Sequence, residues 1–247
     1  MIGVFDSGSG GLSVLSAIRR TLPDADIVYL ADTANMPYGT KSREELERLT
    51  QVGAEKLFAA GADIIVWACN SVSAAVIRPR LQREEYSSDD MIEMVGPCVS
   101  GLQRLGPKAG KIAICATVAT IQSGMYARAC SDAGLDTVSI ALRALASHIE
   151  QRNFSLAEQE IRTMLRSVSM NNVQTIALCC THYPLIKKIF LSEIIAAGLK
   201  INLFDPSDSV AEIVAQKYSK QGSGITKFIV TKESPDFRAW TQEINSI

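Results

Sequence analysis

The sequence predicts an α/β protein in which a parallel sheet is covered by helices on both faces. Short apolar segments of strand length alternate with longer segments whose apolar residues recur at helical spacing. This alternation starts near Gly3 and starts again near Ile112, which indicates two similar halves. In each half one apolar strand segment, 64–68 or 175–179, is followed directly by a cysteine. Ligands bind at the carboxyl ends of strands in open α/β sheets, so we expect both cysteines at one site.

The first half begins with the predicted strands 2–5, 26–30 and 64–68 and the predicted helices 12–22 and 42–60. Ser42 followed by Glu45 has the pattern of a capping box at the start of the second helix. Asn70 or Ser71 is a suitable cap for a helix after the third strand. The segment around 96–97, Gly-Pro, is expected to be the crossover between the halves.

The second half is predicted to contain strands 111–115, 137–141 and 175–179 and helices within 117–133, at 156–168 and from about 184 to 197. A tail after Asp205 adds a helix at 210–219, a strand at 227–230 and a last helix. This tail exceeds what the second half needs to match the first. We therefore predict two domains, one formed by 1–97 plus 206–247 and one by 98–205.

Composition limits the function classes. The 247 residues carry a net charge of −1, which disfavours nucleic acid and anionic membranes as partners. No apolar run reaches the roughly 18 residues of a membrane span, and the start of the chain lacks the basic segment of a signal peptide. The 2 histidines and the absence of a C-x-x-C pair disfavour a metal site. We expect reduced thiols in the cytoplasm.

The six cysteines fall into two groups. A buried cysteine is usually a small hydrophobic side chain, and this interpretation suits Cys98, Cys115, Cys130 and Cys179. Cys69 and Cys180 differ because each lies at a strand end just before a predicted helix N-terminus. The partial positive charge of a helix N-terminus lowers the pKa of a thiol. The matched positions favour a functional pair.

Three ionisable residues are further candidates. His182 follows Cys180 by two residues and could relay a proton or orient the thiol, although a lone histidine is more often structural. Asp6 is a charge at the buried end of a strand, which requires a partner or a function. Glu150 fits a solvated helix face as well as it fits an active-site role.

The glycine-rich turn after the first strand invites a second class of function. Gly8-x-Gly10-x-x-Ser13, with Asp32 at the end of the second strand, approaches the dinucleotide-binding fingerprint. However, Ser13 replaces the third small residue, and Asp6 stands where a phosphate would meet a negative charge. The glycines fit better as room for a small substrate beside the backbone. A nucleotide-binding module therefore remains the lesser alternative.

Four motifs in order resemble the glutamate racemase family: Phe5–Val14, Ala31–Ser42, Ala68–Ser71 and Cys180–Leu185. A weaker match covers 117–126, and the resemblance runs from residue 2 to about 190, with fainter matches at 205–206 and 228–231. The chain departs from the family pattern in having Ser71 after Asn70, a cysteine before Cys180, and no Pro-rich stretch before Glu150.

The resemblance implies two three-layer α/β domains with mainly parallel sheets, related by a pseudo-twofold axis, and an active site in the cleft between them. The C-terminal helices would pack back on the first domain. Cys69 and Cys180 would be the catalytic acid/bases, assisted by Asp6 and His182. The implied substrate-binding residues are Asp6, Ser7, Tyr38, Gly39, Asn70, Ser71, Thr181 and His182, with Pro37, Thr117, Thr120 and Glu150 as further candidates.

The implied activity is cofactor-independent interconversion of L- and D-glutamate, supplying D-glutamate for peptidoglycan and so for cell-wall biogenesis and cell shape. The absence of a lysine in a recognisable pyridoxal-phosphate context agrees with the expectation of no cofactor. A related racemase acting on aspartate or a hydantoin stays open, because the sequence does not resolve the side-chain pocket. A homodimer is also left open.

Overall fold

The structure, a computed structural model, describes residues 1–76 and 90–245. Its strands are β1 (Ile2–Asp6), β2 (Ile27–Ala31), β3 (Ile64–Trp67), β4 (Met91–Ile92), β5 (Lys111–Ala116), β6 (Thr137–Ala141), β7 (Val173–Leu178), β8 (Asn202–Phe204) and β9 (Thr226–Val230). Its α-helices are α1 (Leu12–Thr21), α2 (Arg43–Ala59), α3 (Asn70–Val76), α4 (Val95–Arg104), α5 (Val118–Gln122), α6 (Met125–Asp132), α7 (Leu145–Glu150), α8 (Phe154–Leu165), α9 (Lys187–Ala196), α10 (Pro206–Lys217) and α11 (Pro235–Asn245). Short 3₁₀ helices cover Thr33–Asn35, Tyr38–Thr40, Gly106–Ala109, Val168–Met170 and Tyr183–Ile186.

Two parallel sheets repeat one topology. The first has the order β4-β3-β1-β2-β9 and the second the order β6-β5-β7-β8. Without β9 the two orders are equivalent. β1 lies between β2 and β3, β5 lies between β6 and β7, and the fourth strand of each set, β4 or β8, pairs with β3 or β7. The predicted α/β class and the internal repeat are therefore confirmed. The strand order reverses beside β1 in one sheet and beside β5 in the other, which is where such sheets form ligand sites.

The central strands are apolar on both faces. All residues of β1, β2 and β3 are buried, as expected for parallel strands with helices on each side. The largest apolar cluster includes residues of both halves, such as Leu12 of α1, Leu145 of α7 and Val210 of α10. The two halves therefore share one continuous core next to the cleft.

The tail packs on the first half. Strand β9 pairs with the edge of β2, with Phe228 opposite Tyr29, while α10 packs against α1 and α4. Helix α11 also contacts α1. The contacts with β2 and α1 agree with a tail that returns to the first half, whereas most of α4 lies within 98–205. The division into 1–97 plus 206–247 and 98–205 stays a prediction.

The local predictions hold in part. Ser42 caps α2 as expected, because its hydroxyl accepts a hydrogen bond from the amide of Glu45 at 3.2 Å. The 96–97 segment is not only a connection: it lies in the first turn of α4, where proline is tolerated and the Glu93 carboxylate accepts from the Gly96 amide at 2.7 Å. The short strands β4 and β8 were not predicted. Gly124, at φ +67°, separates α5 from α6.

Helix α2 approaches β1 at Gly53, where only hydrogen fits. A Cβ added to Gly53 would lie 2.3 Å from the ring of Phe5, which is buried beside Trp67. We expect Gly53→Ala to lower the free energy of unfolding by about 1–3 kcal/mol, because overpacking outweighs the better helix propensity of alanine. Denaturant unfolding checks this. Adding Phe5→Leu, which shortens the opposing side chain, should recover part of the loss, and additive losses would refute the contact.

No helix among the described residues combines the length and the apolar character that crossing a membrane requires.

Candidate active site

A cleft of about 460 Å³ lies at the carboxyl ends of the two sheets. Ser7 follows β1, Cys69 follows β3, Thr117 follows β5 and Cys180 follows β7. The structure thus brings the strand ends of both halves together. The sequence-predicted residues that line the cleft are Ser7, Pro37, Tyr38, Gly39, Cys69, Asn70, Ser71, Thr117, Glu150, Cys180, Thr181 and His182.

Two predicted residues, Asp6 and Thr120, lie behind the cleft wall. Asp6 is fully buried and accepts hydrogen bonds from the Gly8 amide at 2.7 Å and the Thr181 hydroxyl at 3.1 Å. Burial raises the pKa of Asp6 to about 6. Thr120 is buried and its hydroxyl oxygen lies 3.0 Å from that of Thr117, which caps α5. Each of the two therefore contacts a residue that lines the cleft, Thr181 or Thr117.

Cys69 stands between β3 and α3 with only 5% of its surface exposed. Its sulfur lies 3.9 Å from the Ser7 hydroxyl. Burial and the Asp6 carboxylate raise the pKa of Cys69 to about 12, although the amides of Val72 and Ser71 lower it. The sequence-based expectation of a lowered thiol pKa is wrong here, because desolvation of the thiolate outweighs the donors of the helix N-terminus. Cys69 therefore carries its proton at neutral pH.

Cys180 is equally buried, and its sulfur lies 3.9 Å from Nδ1 of His182. The chain after it forms a 3₁₀ turn, in which the Tyr183 amide donates to the carbonyl of Cys180. Helix α9 begins only at Lys187. The expectation of an α-helix N-terminus directly after Cys180 is therefore wrong, and His182 is the group that lies beside this thiol.

His182 and Glu150 form a buried pair, with 2.7 Å between Nε2 and Oε2. Glu150 also accepts from the amide and the hydroxyl of Ser9, at 3.2 and 2.6 Å. Burial lowers the pKa of His182, but its bonds to Cys180 and Glu150 outweigh this and raise it well above the usual value. Burial raises the pKa of Glu150, and the bond to His182 more than offsets it. The two groups are thus charged, and a solvated helix face for Glu150 is the wrong interpretation.

The second oxygen of the Glu150 carboxylate is Oε1. Glu150 Oε1 is buried and has no hydrogen-bond partner among residues 1–76 and 90–245. Glu150 lines the cleft. A buried carboxylate oxygen without a donor is costly, so this atom is suited to accept from a bound cationic group.

The glycine-rich turn is packed against protein side chains. A Cβ at Gly10 would lie 2.6 Å from Nδ1 of His182 and 2.7 Å from the Thr181 hydroxyl. A Cβ at Gly8 would lie 2.3 Å from the sulfur of Met36. The expectation of substrate beside these glycines is therefore wrong, and no phosphate cradle is formed. Gly10 allows Thr181 and His182 of the second half to approach the first.

Asp32 organises the loop that carries Tyr38. Its carboxylate accepts hydrogen bonds from the Tyr38 hydroxyl at 2.6 Å, the Thr231 hydroxyl at 2.8 Å and the Asn35 amide. These donors satisfy the carboxylate that the dinucleotide interpretation assigned to a ribose. Tyr38 and Gly39 are thereby held against the cleft.

Sequence reasoning missed part of the lining: Met36, Thr40, Val118, Arg143, Ala146, Ser147, Gln151, Ser234 and Asp236. Arg143, Ser147 and Gln151 belong to the segment around Glu150, where the family motif is weak. Ser234 and Asp236 come from the start of α11. The predicted return of the tail was a signal for the last two, but it did not specify which residues reach the cleft.

Among residues 1–76 and 90–245, no group of three or more His, Cys, Asp or Glu side chains is arranged to hold a metal ion.

Known proteins of similar sequence and structure are racemases. The model of the Asp/Glu/hydantoin racemase family matches residues 2–214. The chain is 34% identical over 235 residues to a glutamate racemase of Aquifex aeolicus (strain VF5), covering 94% of this chain and 89% of that one. A crystal structure of a glutamate racemase isoform of Bacillus anthracis has a TM-score of 0.86 at 30% identity, covering 100% of this chain and 94% of that one. The crystal structure of Francisella tularensis glutamate racemase in complex with D-glutamate has a TM-score of 0.82 at 28% identity, covering 100% and 93%.

Proposed function

Because the chain belongs to the Asp/Glu/hydantoin racemase family and is an amino-acid racemase, we propose that it interconverts L- and D-glutamate without a cofactor. The observation that carries this proposal is the pair of buried thiols, Cys69 and Cys180, which line one cleft from equivalent strand ends of the two halves. The similarity to glutamate racemases, one of them bound to D-glutamate, supports the substrate.

Inversion at the α-carbon requires a base on one face and an acid on the other. Cys180 removes the α-proton from L-glutamate, and Cys69 returns a proton to the opposite face. The reverse reaction exchanges the two roles. Two strand ends that face each other across a cleft suit this geometry, since each half supplies one thiol.

The groups beside the two thiols differ. His182, charged and held by Glu150 through Nε2, lies with Nδ1 3.9 Å from the sulfur of Cys180 and is suited to assist this thiol in proton transfer. Cys69, whose pKa burial raises to about 12, stays a thiol and is ready to donate. This difference supports Cys180 as the group that removes the proton from L-glutamate.

The cleft also offers groups for the three charges of glutamate. Glu150 Oε1 is an acceptor for the ammonium, and the side-chain nitrogen of Asn70, which has no partner within 1–76 and 90–245, is a donor for a carboxylate. Arg143 is the sole lysine or arginine among the described residues of the cleft lining, which favours an acidic substrate side chain. Donors placed around the carboxylate stabilise the carbanion-like transition state.

We further propose that the D-glutamate formed supplies peptidoglycan in the cytoplasm. Expression of the chain in a bacterial strain that requires D-glutamate tests this role. Growth without added D-glutamate supports it, and growth must be lost with Cys69→Ser.

The direct test is an assay of purified protein with L-glutamate and, separately, L-aspartate, followed by optical rotation. We expect racemisation of glutamate in the presence of a chelator and of hydroxylamine, because neither a metal nor a carbonyl cofactor takes part. Alkylation of thiols should abolish it, and glutamate should slow alkylation at Cys69 and Cys180. Faster turnover of aspartate would assign the chain to the other substrate, and full activity with both thiols blocked would refute the mechanism.

A further inference from the structure

A tyrosine of the second half reaches the substrate-binding segment of the first. Tyr126 lies on α6, and its hydroxyl donates a hydrogen bond to Oδ1 of Asn70, the first residue of α3, at 2.5 Å. Tyr126 is 2% exposed and Asn70 is 3% exposed. This contact therefore joins the two halves within the protein interior, directly beside Cys69.

The other end of the Asn70 amide is its nitrogen, Nδ2. This nitrogen is buried and makes no hydrogen bond to any of the described residues, while Asn70 lines the cleft. An amide side chain offers one acceptor oxygen and one nitrogen with two donors. Because the Tyr126 hydroxyl occupies the oxygen, the donors are directed away from α6. A buried donor without a partner costs free energy, so the arrangement favours a bound acceptor.

The surroundings of Tyr126 keep its hydroxyl in the donor role. Burial, followed by the neighbouring Cys179 and Cys98, raises the pKa of Tyr126 well above its usual value, so the phenol remains protonated. The buried sulfurs of Cys98 and Cys179 lie 3.9 Å apart. Thiols are weak acceptors compared with an amide oxygen. The hydroxyl therefore donates to Asn70.

We propose that Tyr126 is a positioning residue, whose hydroxyl fixes the side-chain amide of Asn70 across the two halves so that Nδ2 donates to a carboxylate of the substrate. Glutamate as that substrate rests on the proposed function. The contact itself does not, since it joins two residues of the protein. Tyr126 belongs to the weak 117–126 motif, and the proposed reaction otherwise assigns this tyrosine no role.

Tyr126→Phe removes one hydroxyl and keeps the ring in place. We expect the KM for L-glutamate to rise about 10-fold while kcat changes less than about twofold, since the substrate loses a fixed donor. Asn70→Ala should raise KM by at least as much. In the Asn70→Ala background, Tyr126→Phe should add less than about twofold, because its effect acts through the amide. Tyr218→Phe, a change at a buried tyrosine on the C-terminal side of α10, is the matched control and should leave KM unchanged.

A purely structural role would lower the unfolding temperature and kcat of Tyr126→Phe and would add to Asn70→Ala, and this result would overturn the proposal. A second measurement does not depend on activity. In nitrogen-15 NMR spectra, the side-chain amide pair of Asn70, identified by its loss in Asn70→Ala, should shift in ligand-free Tyr126→Phe. An unshifted pair would refute the contact. Absence of racemisation by the wild-type protein would instead refute the proposed function and leave the NMR test decisive for Tyr126.

Discussion

Racemisation in both directions is expected to fall by at least roughly 10³-fold when either Cys69 or Cys180 is replaced by serine. Each change removes one of the two proton-transfer groups, and inversion needs both. The loss must be equal from L-glutamate and from D-glutamate, because the two directions cross the same transition states. Optical rotation with each enantiomer measures it.

A substrate analogue with a leaving group next to the α-carbon separates the two thiols. Elimination requires removal of one proton by one base, so each serine variant should keep elimination for one enantiomer only. Cys69→Ser, which retains Cys180, should process the L form, and Cys180→Ser should process the D form. The same enantiomer preference in both variants would contradict the two-base scheme.

The matched control is removal of a buried thiol far from the cleft. Cys130 of α6 is fully buried in an apolar cluster and does not line the cleft. Cys130→Ala should keep near-native racemisation, which shows that loss of a buried sulfur is not itself the cause. Elimination by both serine variants also verifies that they are folded.

Replacing Asp6 by asparagine is expected to lower activity and to raise stability. We expect Asp6→Asn to lower kcat roughly 100-fold, since an amide cannot take up and return a proton as the carboxyl group proposed to assist Cys69 can. The same change should raise the free energy of unfolding by about 3 kcal/mol at pH 8, because a fully buried carboxylate no longer has to ionise. Removal of this negative charge also favours the thiolate, so alkylation at Cys69 should become faster.

The expected gain in stability from Asp6→Asn depends on pH. Asp6 has a pKa of about 6 in the folded protein and 3.8 as the reference value, so the folded protein holds the proton more tightly. Its contribution is fully favourable below pH 3.8 and is lost as the pH rises through 6. The stability difference between Asp6→Asn and wild type should therefore be largest above pH 7 and disappear towards pH 4. Urea unfolding at several pH values measures it, and a constant difference would refute the raised pKa.

The fold could be predicted largely because its central strands are buried on both faces. Such strands are continuous apolar segments, as in β1 and β3, and their turns carry recognisable residues. The two-residue strand β4 and the three-residue strand β8 are too short for a pattern of their own, and they form by pairing at sheet edges. Pro97 suggested a connection, although proline is also common in the first turn of a helix.

The site could be predicted as a set of residues but not as an electrostatic arrangement. Spacing placed Cys69 and Cys180 at strand ends, and motifs placed Ser7 and Thr181 near them. The raised pKa of Cys69 depends on desolvation, which a sequence does not show. The pairing of Glu150 with His182 depends on two elements, α7 and the turn after β7, that meet only in the folded chain.

Strand β9 has a consequence for synthesis. The edge of β2 that it covers is made early, but residues 226–230 are translated almost 200 residues later. At typical rates the interval is roughly 10 to 40 seconds, during which this strand edge keeps unpaired amide and carbonyl groups. Such an edge can pair with another chain. The nascent protein is therefore most exposed to aggregation at β2, and a chaperone that binds there would protect the step that completes the first sheet.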